Sequence, residues 1–291
     1  MKIGALEAGG TKMVCAVGNE EGEILKKITI PTETPRETMP KMLDFFEQEQ
    51  VEALGIGCFG PINPVKGTPH YGYITSTPKI PWQNYDIVGA FAQRLHCPVG
   101  FDTDVNAAAL GEASYGITKG LRNSIYITIG TGVGVGVFSE GRLLHGMMHP
   151  EGGHILVKRH PDDPYEGACP FHKDCFEGLA AGPSLEKRWG VKGAQLSDRR
   201  EVWEIESYYI AQACMDYCVI LSPERIVLGG GVMKQPSLLP LVREKFAEMM
   251  AGYIQTPQVQ DVENYIVGPS LNDEQGVKGC IRLALEAVHN P

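Results

Sequence analysis

One pattern occurs twice in this chain. Residues 7–25, EAGGTKMVCAVGNEEGEIL, and residues 128–144, TIGTGVGVGVFSEGRLL, both read as strand, glycine turn, strand, polar turn, strand. Apolar runs bounded by Gly, Asn and Ser signal neighbouring strands, so each copy predicts a β-meander. A repeat of this kind decides the fold before any single element does. It predicts an α/β protein of two lobes of one build, and two such lobes facing each other would place both glycine turns at one cleft. No low-complexity linker separates them. Pattern alone puts the first lobe at residues 1–118, completed by a C-terminal helix over 273–291, and the second at 119–272. The 291 residues, 43% of them hydrophobic, suffice for two cores, because chains beyond roughly 250 residues usually divide.

Within the first lobe ILKKITIP closes the meander. After Pro35, ETMPKMLDFFEQEQ has helical spacing through Met39, Met42, Leu43 and Phe46 and feeds a buried strand, VEALGIGCFG. From Pro61 to Trp82 the chain is rich in Pro, Gly, Tyr and Thr without a period, which predicts a long ordered loop of the kind that usually serves function. NYDIVGAFAQRLH then predicts a helix, CPVGFDTD a strand ending in acids, and VNAAALGEASYG a helix stopped by Gly116. Asp102, Asp104 and Asn106 therefore sit where a strand hands over to a helix. In the second lobe RREVWEIESYYIAQACMDYCVIL and LLPLVREKFAEMMAGY predict helices on either side of the strand RIVLGGGV.

Charge narrows the partners. The formal net charge is −9 and no basic run exceeds two residues, which argues against a nucleic-acid partner, whose affinity rests on clustered Lys and Arg. The chain holds no apolar run of membrane length and opens without the pattern of a signal peptide, so the expected location is the cytoplasm. Of eight cysteines, Cys15, Cys58, Cys97, Cys214, Cys218 and Cys280 lie in apolar segments and read as buried thiols. Only Cys169 and Cys175 fall in a polar loop.

Glycine turns between strands let backbone N–H groups approach an anion, since no Cβ stands in the way. Gly9, Gly10, Thr11 and Lys12 offer one such turn, and Gly130, Thr131, Gly132 and Gly134 the other. Either alone is as readily an ordinary hairpin, but a matched pair favours phosphate. Neither has the spacing of a P-loop or of a dinucleotide fingerprint. Gly229, Gly230, Gly231 and Val232 end a strand and permit a flat group such as a nucleoside to lie on the backbone, although a plain loop fits as well. An acid at a helix N-terminus is more often a cap than a catalyst. Here two acids flank the turn, which leaves one of them free, and Asn106 adds a neutral donor suited to a hydroxylated ligand. A carboxylate so placed can take the proton from an attacking alcohol.

The segment GGHILVKRHPDDPYEGACPFHKDCFEGLAAG holds His154, Cys169, His172 and Cys175. Two Cys and two His in one polar loop are the ligand set of a closed tetrahedral zinc site, although the spacing matches no standard finger, and unrelated surface side chains are the alternative. His145, His149 and His160 lie nearby, so His154 is the ligand least determined by position. Four protein ligands leave no place for water or substrate, which makes such a metal structural. It would fold the loop and hold Glu151 and Glu177 near each other.

Taken together these segments resemble the ROK family of sugar kinases and repressors, which share the actin-like ATPase (ribonuclease H-like) fold. EAGGTK resembles the first phosphate segment, FDTDVNAAALGE the catalytic segment, TIGTGVGVGV the second phosphate segment, HPEGGHI the sugar-contact segment and CPFHKDCFEG the zinc and sugar loop. The resemblance implies an ATP-dependent hexokinase-type phosphotransferase with Asp104 as general base. Asn106, Glu151, His154 and Glu177 would contact the sugar, and His154 would also ligate zinc. The two glycine turns would meet ATP phosphates, and Gly229 to Val232 would lie by the nucleoside. Mg2+ is implied with ATP, the product would be a sugar 6-phosphate, and the assembly a homodimer.

Two departures refine this. Glu7 stands where the family usually has Asp, and the metal loop reads Cys-x-x-His-x-x-Cys, with His172 where most members have Cys. Both features are similar to the fructokinase subgroup and favour D-fructose over glucose, mannose, allose or N-acetylmannosamine. A sugar-responsive repressor of the same family needs a helix-turn-helix ahead of a phosphate segment that here starts at residue 7, so that class is not expected. A zinc hydrolase with an open metal at His154 or His172 is the remaining alternative.

Overall fold

The computed structural model describes residues 1–289, which form two compact units. The first comprises residues 1–120, residues 142–150 and the chain from Ser270 onward; the second comprises residues 121–141 and 151–269. The short segment 142–150, which the pattern placed in the second lobe, thus packs with the first unit.

In the first unit β1 (Ile3–Ala8), β2 (Lys12–Gly18) and β3 (Ile24–Pro31) form the expected antiparallel meander. Helix α1 (Pro35–Glu49) follows, with the Glu37 carboxylate accepting from the Thr34 N–H across the first turn. The strand β4 (Ala53–Cys58) then returns parallel to β1. The expected long loop carries a two-residue strand, β5 (Tyr73–Ile74), that pairs with β6 (Tyr85–Asp86). Consequently α2 starts at Ile87 rather than Asn84 and runs to Leu95, because Asp86 caps it by accepting from Gly89 N–H at 2.7 Å. Finally β7 (Val99–Thr103) runs into α3 (Asp104–Tyr115), and the sheet order is β3-β2-β1-β4-β7.

The C-terminal helix observed is Gln275–His289; residues 290 and 291 of the expected 273–291 lie outside the described residues. It lies against the sheet and α3 through glycines. A Cβ at Gly279 would stand 1.6 Å from the Ala107 carbonyl oxygen, and one at Gly55 would stand 1.8 Å from that of Cys280. Small residues on both surfaces let the backbones touch.

The second sheet repeats the plan. Strands β8 (Ser124–Ile129), β9 (Val133–Ser139) and β10 (Arg142–Leu143) precede α4 (Phe176–Ala180), α5 (Gly182–Trp189) and α6 (Arg200–Leu221). Then come β11 (Arg225–Gly229), α7 (Leu238–Met250) and β12 (Ile266–Val267), and the sheet order is β10-β9-β8-β11-β12. Position for position this is the order of the first sheet, with β11 parallel to β8 and β12 parallel to β11. The duplicated meander is therefore real, and the fold is the two-lobed α/β actin-like ATPase fold. Among the described residues no helix is long and apolar enough to cross a membrane.

Candidate active site

At the β7–α3 handover the helix cap is neither acid. Thr103 is the cap residue, its hydroxyl accepting from Asn106 N–H at 3.0 Å. Asp104 thereby occupies the first helical position, where its Oδ1 accepts from Val105 N–H at 2.8 Å. Burial raises its pKa, and hydrogen bonds from the backbone oppose that rise. A carboxylate desolvated in this way holds a proton more readily, which suits a base that must take one from an alcohol. Glu7, on β1, is likewise pushed up to about 7, first by burial and then by the charge of Asp104.

Asn106 differs from expectation. Its Nδ2 donates to Asp102 Oδ1 at 2.7 Å, which spends one of the two amide N–H groups, whereas its buried Oδ1 has no partner among the described residues. A carboxylate can only accept, and this dictates which way round the amide sits. Sequence reasoning also passed over His145, whose Nε2 lies 2.8 Å from Asp102 Oδ2 and whose pKa that hydrogen bond raises. The contact joins residues far apart in the chain, and no local pattern announces it.

The two glycine turns close alike. Gly9 N–H donates to Lys12 O at 3.0 Å and Gly130 N–H to Gly132 O at 2.9 Å. Those two donors are spent, and the tips of the turns are Gly10–Thr11 and Thr131–Gly132. Gly134 lies one step inside β9, opposite Thr128. Lys12 is exposed at the start of β2, and the Lys79 side chain lies over Gly10, where a Cβ would stand 3.1 Å from Lys79 Cε. Lys79 comes from the long loop and has no sequence signal of its own.

In the second unit a cavity of about 700 Å3 is lined by Gly130, Thr131, Gly182, Gly231 and Val232 among others. It unites the second glycine turn with the expected nucleoside strip. Gly230, with φ of +93°, supplies the reversal, and a side chain there would stand 2.4 Å from Ile129 O. Gly229 is the last residue of β11. Glu177, expected at the sugar, has Oε2 on the glycine turn, accepting from Val133 N–H at 3.0 Å.

The loop ligands do converge. His154 Nδ1 lies 3.5 Å from Cys175 Sγ and 3.8 Å from Cys169 Sγ, and His172 Nδ1 lies 3.8 Å from Cys169 Sγ. All four ligand atoms fall within 4.8 Å of one another. Metal–sulfur bonds of about 2.3 Å and metal–nitrogen bonds of about 2.0–2.1 Å make tetrahedral S···N edges of about 3.5 Å, so the set fits a tetrahedral cation. Cys169 and Cys175 are buried, not exposed in a polar loop, and burial pushes the Cys175 thiol up to about 11. The spare histidines point elsewhere: His149 Nε2 accepts from Ile62 N–H at 3.2 Å, and His160 packs edge-on to Tyr208. Glu151 is exposed, immediately before the short helical turn Gly152–His154.

Relatives decide the family. The profile described as the ROK family matches residues 3–287. The chain belongs to the ROK family. It is 47% identical over 290 residues to a fructokinase of Pediococcus pentosaceus, with 100% of each chain covered. It is 46% identical over 273 residues to a fructokinase of Streptococcus mutans, with 92% of each covered. Among solved structures it is similar to a ROK hexokinase from Thermus thermophilus, with a TM-score of 0.82, 26% identity and 100% of each chain covered.

Proposed function

We propose that this chain is an ATP-dependent hexose kinase that phosphorylates the 6-hydroxyl of D-fructose. Identity of 41% to Zymomonas mobilis fructokinase and 47% to the Pediococcus enzyme, each over nearly the whole chain, supports the substrate. The observation that carries the chemistry is Asp104, a buried carboxylate of raised pKa at a helix start where another residue does the capping. Asp104 takes the hydroxyl proton as the oxygen bonds to the γ-phosphorus, the bond to the β–γ bridging oxygen breaks, and ADP leaves. Phosphoryl transfer needs positioning and charge neutralisation more than covalent help. The turns Gly9–Lys12 and Gly130–Gly134 receive the phosphates, and the strip Gly229–Val232 the nucleoside. Asn106, Glu151, His154 and Glu177 contact the sugar.

Mg2+ bound to ATP would supply neutralisation of the phosphate charge. Zinc would be held by His154, Cys169, His172 and Cys175 and would supply no chemistry, because four protein ligands would close its coordination. Its task is to hold the loop that carries Glu177. The same reading has a homodimer acting in the cytoplasm, and the net charge of −9 argues against a nucleic-acid partner. An assay of ADP release with fructose, mannose, glucose and N-acetylmannosamine tests the reading: fructose gives the highest kcat/KM, and ADP release independent of every hexose would sink it.

A further inference from the structure

Asp102 is a buried carboxylate, 2% exposed, that phosphoryl transfer does not itself require. Its Oδ1 accepts from Thr103 N–H at 2.8 Å and from Asn106 Nδ2 at 2.7 Å, while Oδ2 lies 2.8 Å from His145 Nε2. An ionised carboxylate only accepts, so both side-chain partners must present N–H to it. That requirement orients them. The Asn106 amide turns its Oδ1 away from Asp102, and this oxygen is buried without a partner among the described residues. A buried carbonyl oxygen left unpaired is costly and is kept where something else completes it. A hydroxyl donor from a ligand is the simplest complement.

His145 reaches this carboxylate from the segment 142–150, which belongs to the first unit. Four residues on, His149 anchors the same segment by accepting from Ile62 N–H at 3.2 Å. The His145 side chain remains 32% exposed. One ring nitrogen is therefore pinned on a side chain that is only partly buried.

We propose that Asp102 and His145 are positioning residues of the hexose site. Asp102 locks the Asn106 amide so that Oδ1 is offered as an acceptor to one hexose hydroxyl, and His145 holds the carboxylate in the rotamer that does so. The inference rests on the hexose-kinase reading, in which Asn106 touches the sugar. It adds a selection rule: the hydroxyl recognised by Asn106 acts as donor, and an analogue lacking that hydroxyl is rejected.

The test uses the full chain, fructose, and separate titrations of hexose and ATP. Asp102→Asn raises the fructose KM at least tenfold, while kcat and the ATP KM stay within threefold of wild type. His145→Ala raises the fructose KM severalfold, and His145→Gln, whose amide can donate to Asp102, restores it to within threefold. A merely structural pair would instead lower kcat and stability together, with both KM values unmoved. Fructose KM values equal to wild type in all three variants, or equal values for His145→Ala and His145→Gln, overturn the proposal. If Asp102→Asn does not fold, the His145 pair decides alone, since that side chain is partly exposed. Wild-type turnover independent of hexose overturns the kinase reading and this inference with it, whereas unchanged KM values in active variants overturn this inference only.

Discussion

The β7–α3 handover and the loop from His154 to Cys175 both hold polar side chains in fixed array, by opposite means. At the handover the backbone does it. Strand pairing between β4 and β7, the Thr103 cap and the glycine contacts of the C-terminal helix set Asp102, Asp104 and Asn106 with no foreign atom. Among the described residues the loop makes only isolated β-bridges, Leu156 with Cys175 and Cys169 with Lys173; its middle is tied to α6 through Gln212 and Tyr209, and its four ligand side chains meet at a point that a cation would fill. Regular structure can carry an unbalanced buried charge because its own hydrogen bonds keep it in place. The ligand end of the loop has no ladder and would gain a centre from a cation, so the two regions should fail differently when disturbed.

Metal removal gives the largest contrast. A chelator, or Cys175→Ser, should make the chain between His154 and Cys175 sensitive to protease and lower the melting temperature by several degrees, as loss of a structural cation does. Unaltered protease resistance after complete demetallation would show that the loop needs no centre. Asp104→Asn acts at the other region. It should lower kcat on the order of 10²-fold or more through loss of the base, yet raise the melting temperature by a few degrees. The sign follows from linkage: a carboxyl whose folded pKa is raised destabilises the fold when ionised, so at neutral pH the neutral amide relieves it. A fall in both quantities would mean that Asp104 is a structural residue.

Smaller effects probe the scaffold. Gly279→Ala puts a methyl 1.6 Å from the Ala107 carbonyl oxygen and should cost about 1–3 kcal/mol in denaturant unfolding, as overpacking does. It should leave the metal content unchanged. The smallest effect is one of pH. Glu7 is raised from 4.5 to about 7, so its penalty is absent below pH 4.5, grows between pH 4.5 and 7, and is complete above. Glu7→Gln should accordingly match wild type in melting temperature at pH 4 and exceed it at pH 8. A constant difference across that range would place the cause outside ionisation.

Much of this was legible before any coordinates. Alternation and turn residues disclosed both meanders, because a hairpin is encoded within some ten neighbouring residues. The ligand quartet was equally legible, since Cys169, His172 and Cys175 are close in sequence and chemically unusual in a polar loop. Reading failed where one residue serves another from a distance. One N–H of Asn106, expected as a donor to a ligand, goes to Asp102; an acid was expected at the cap, yet Thr103 holds that place. The burial of Cys169 and Cys175 was hidden by polar neighbours that point outward.

By itself, then, the sequence determined the repeated α/β plan, the two glycine turns and the residue types able to bind a soft cation, all of which depend on local periodicity and composition. Only the tertiary structure decided how Asp102 is shared between Asn106 and His145, which turn donors are already spent, and that residues 142–150 join the first unit. The reason is physical. A carboxylate oxygen offers few acceptor sites, and which donors claim them is settled by packing between segments that the order of residues keeps apart.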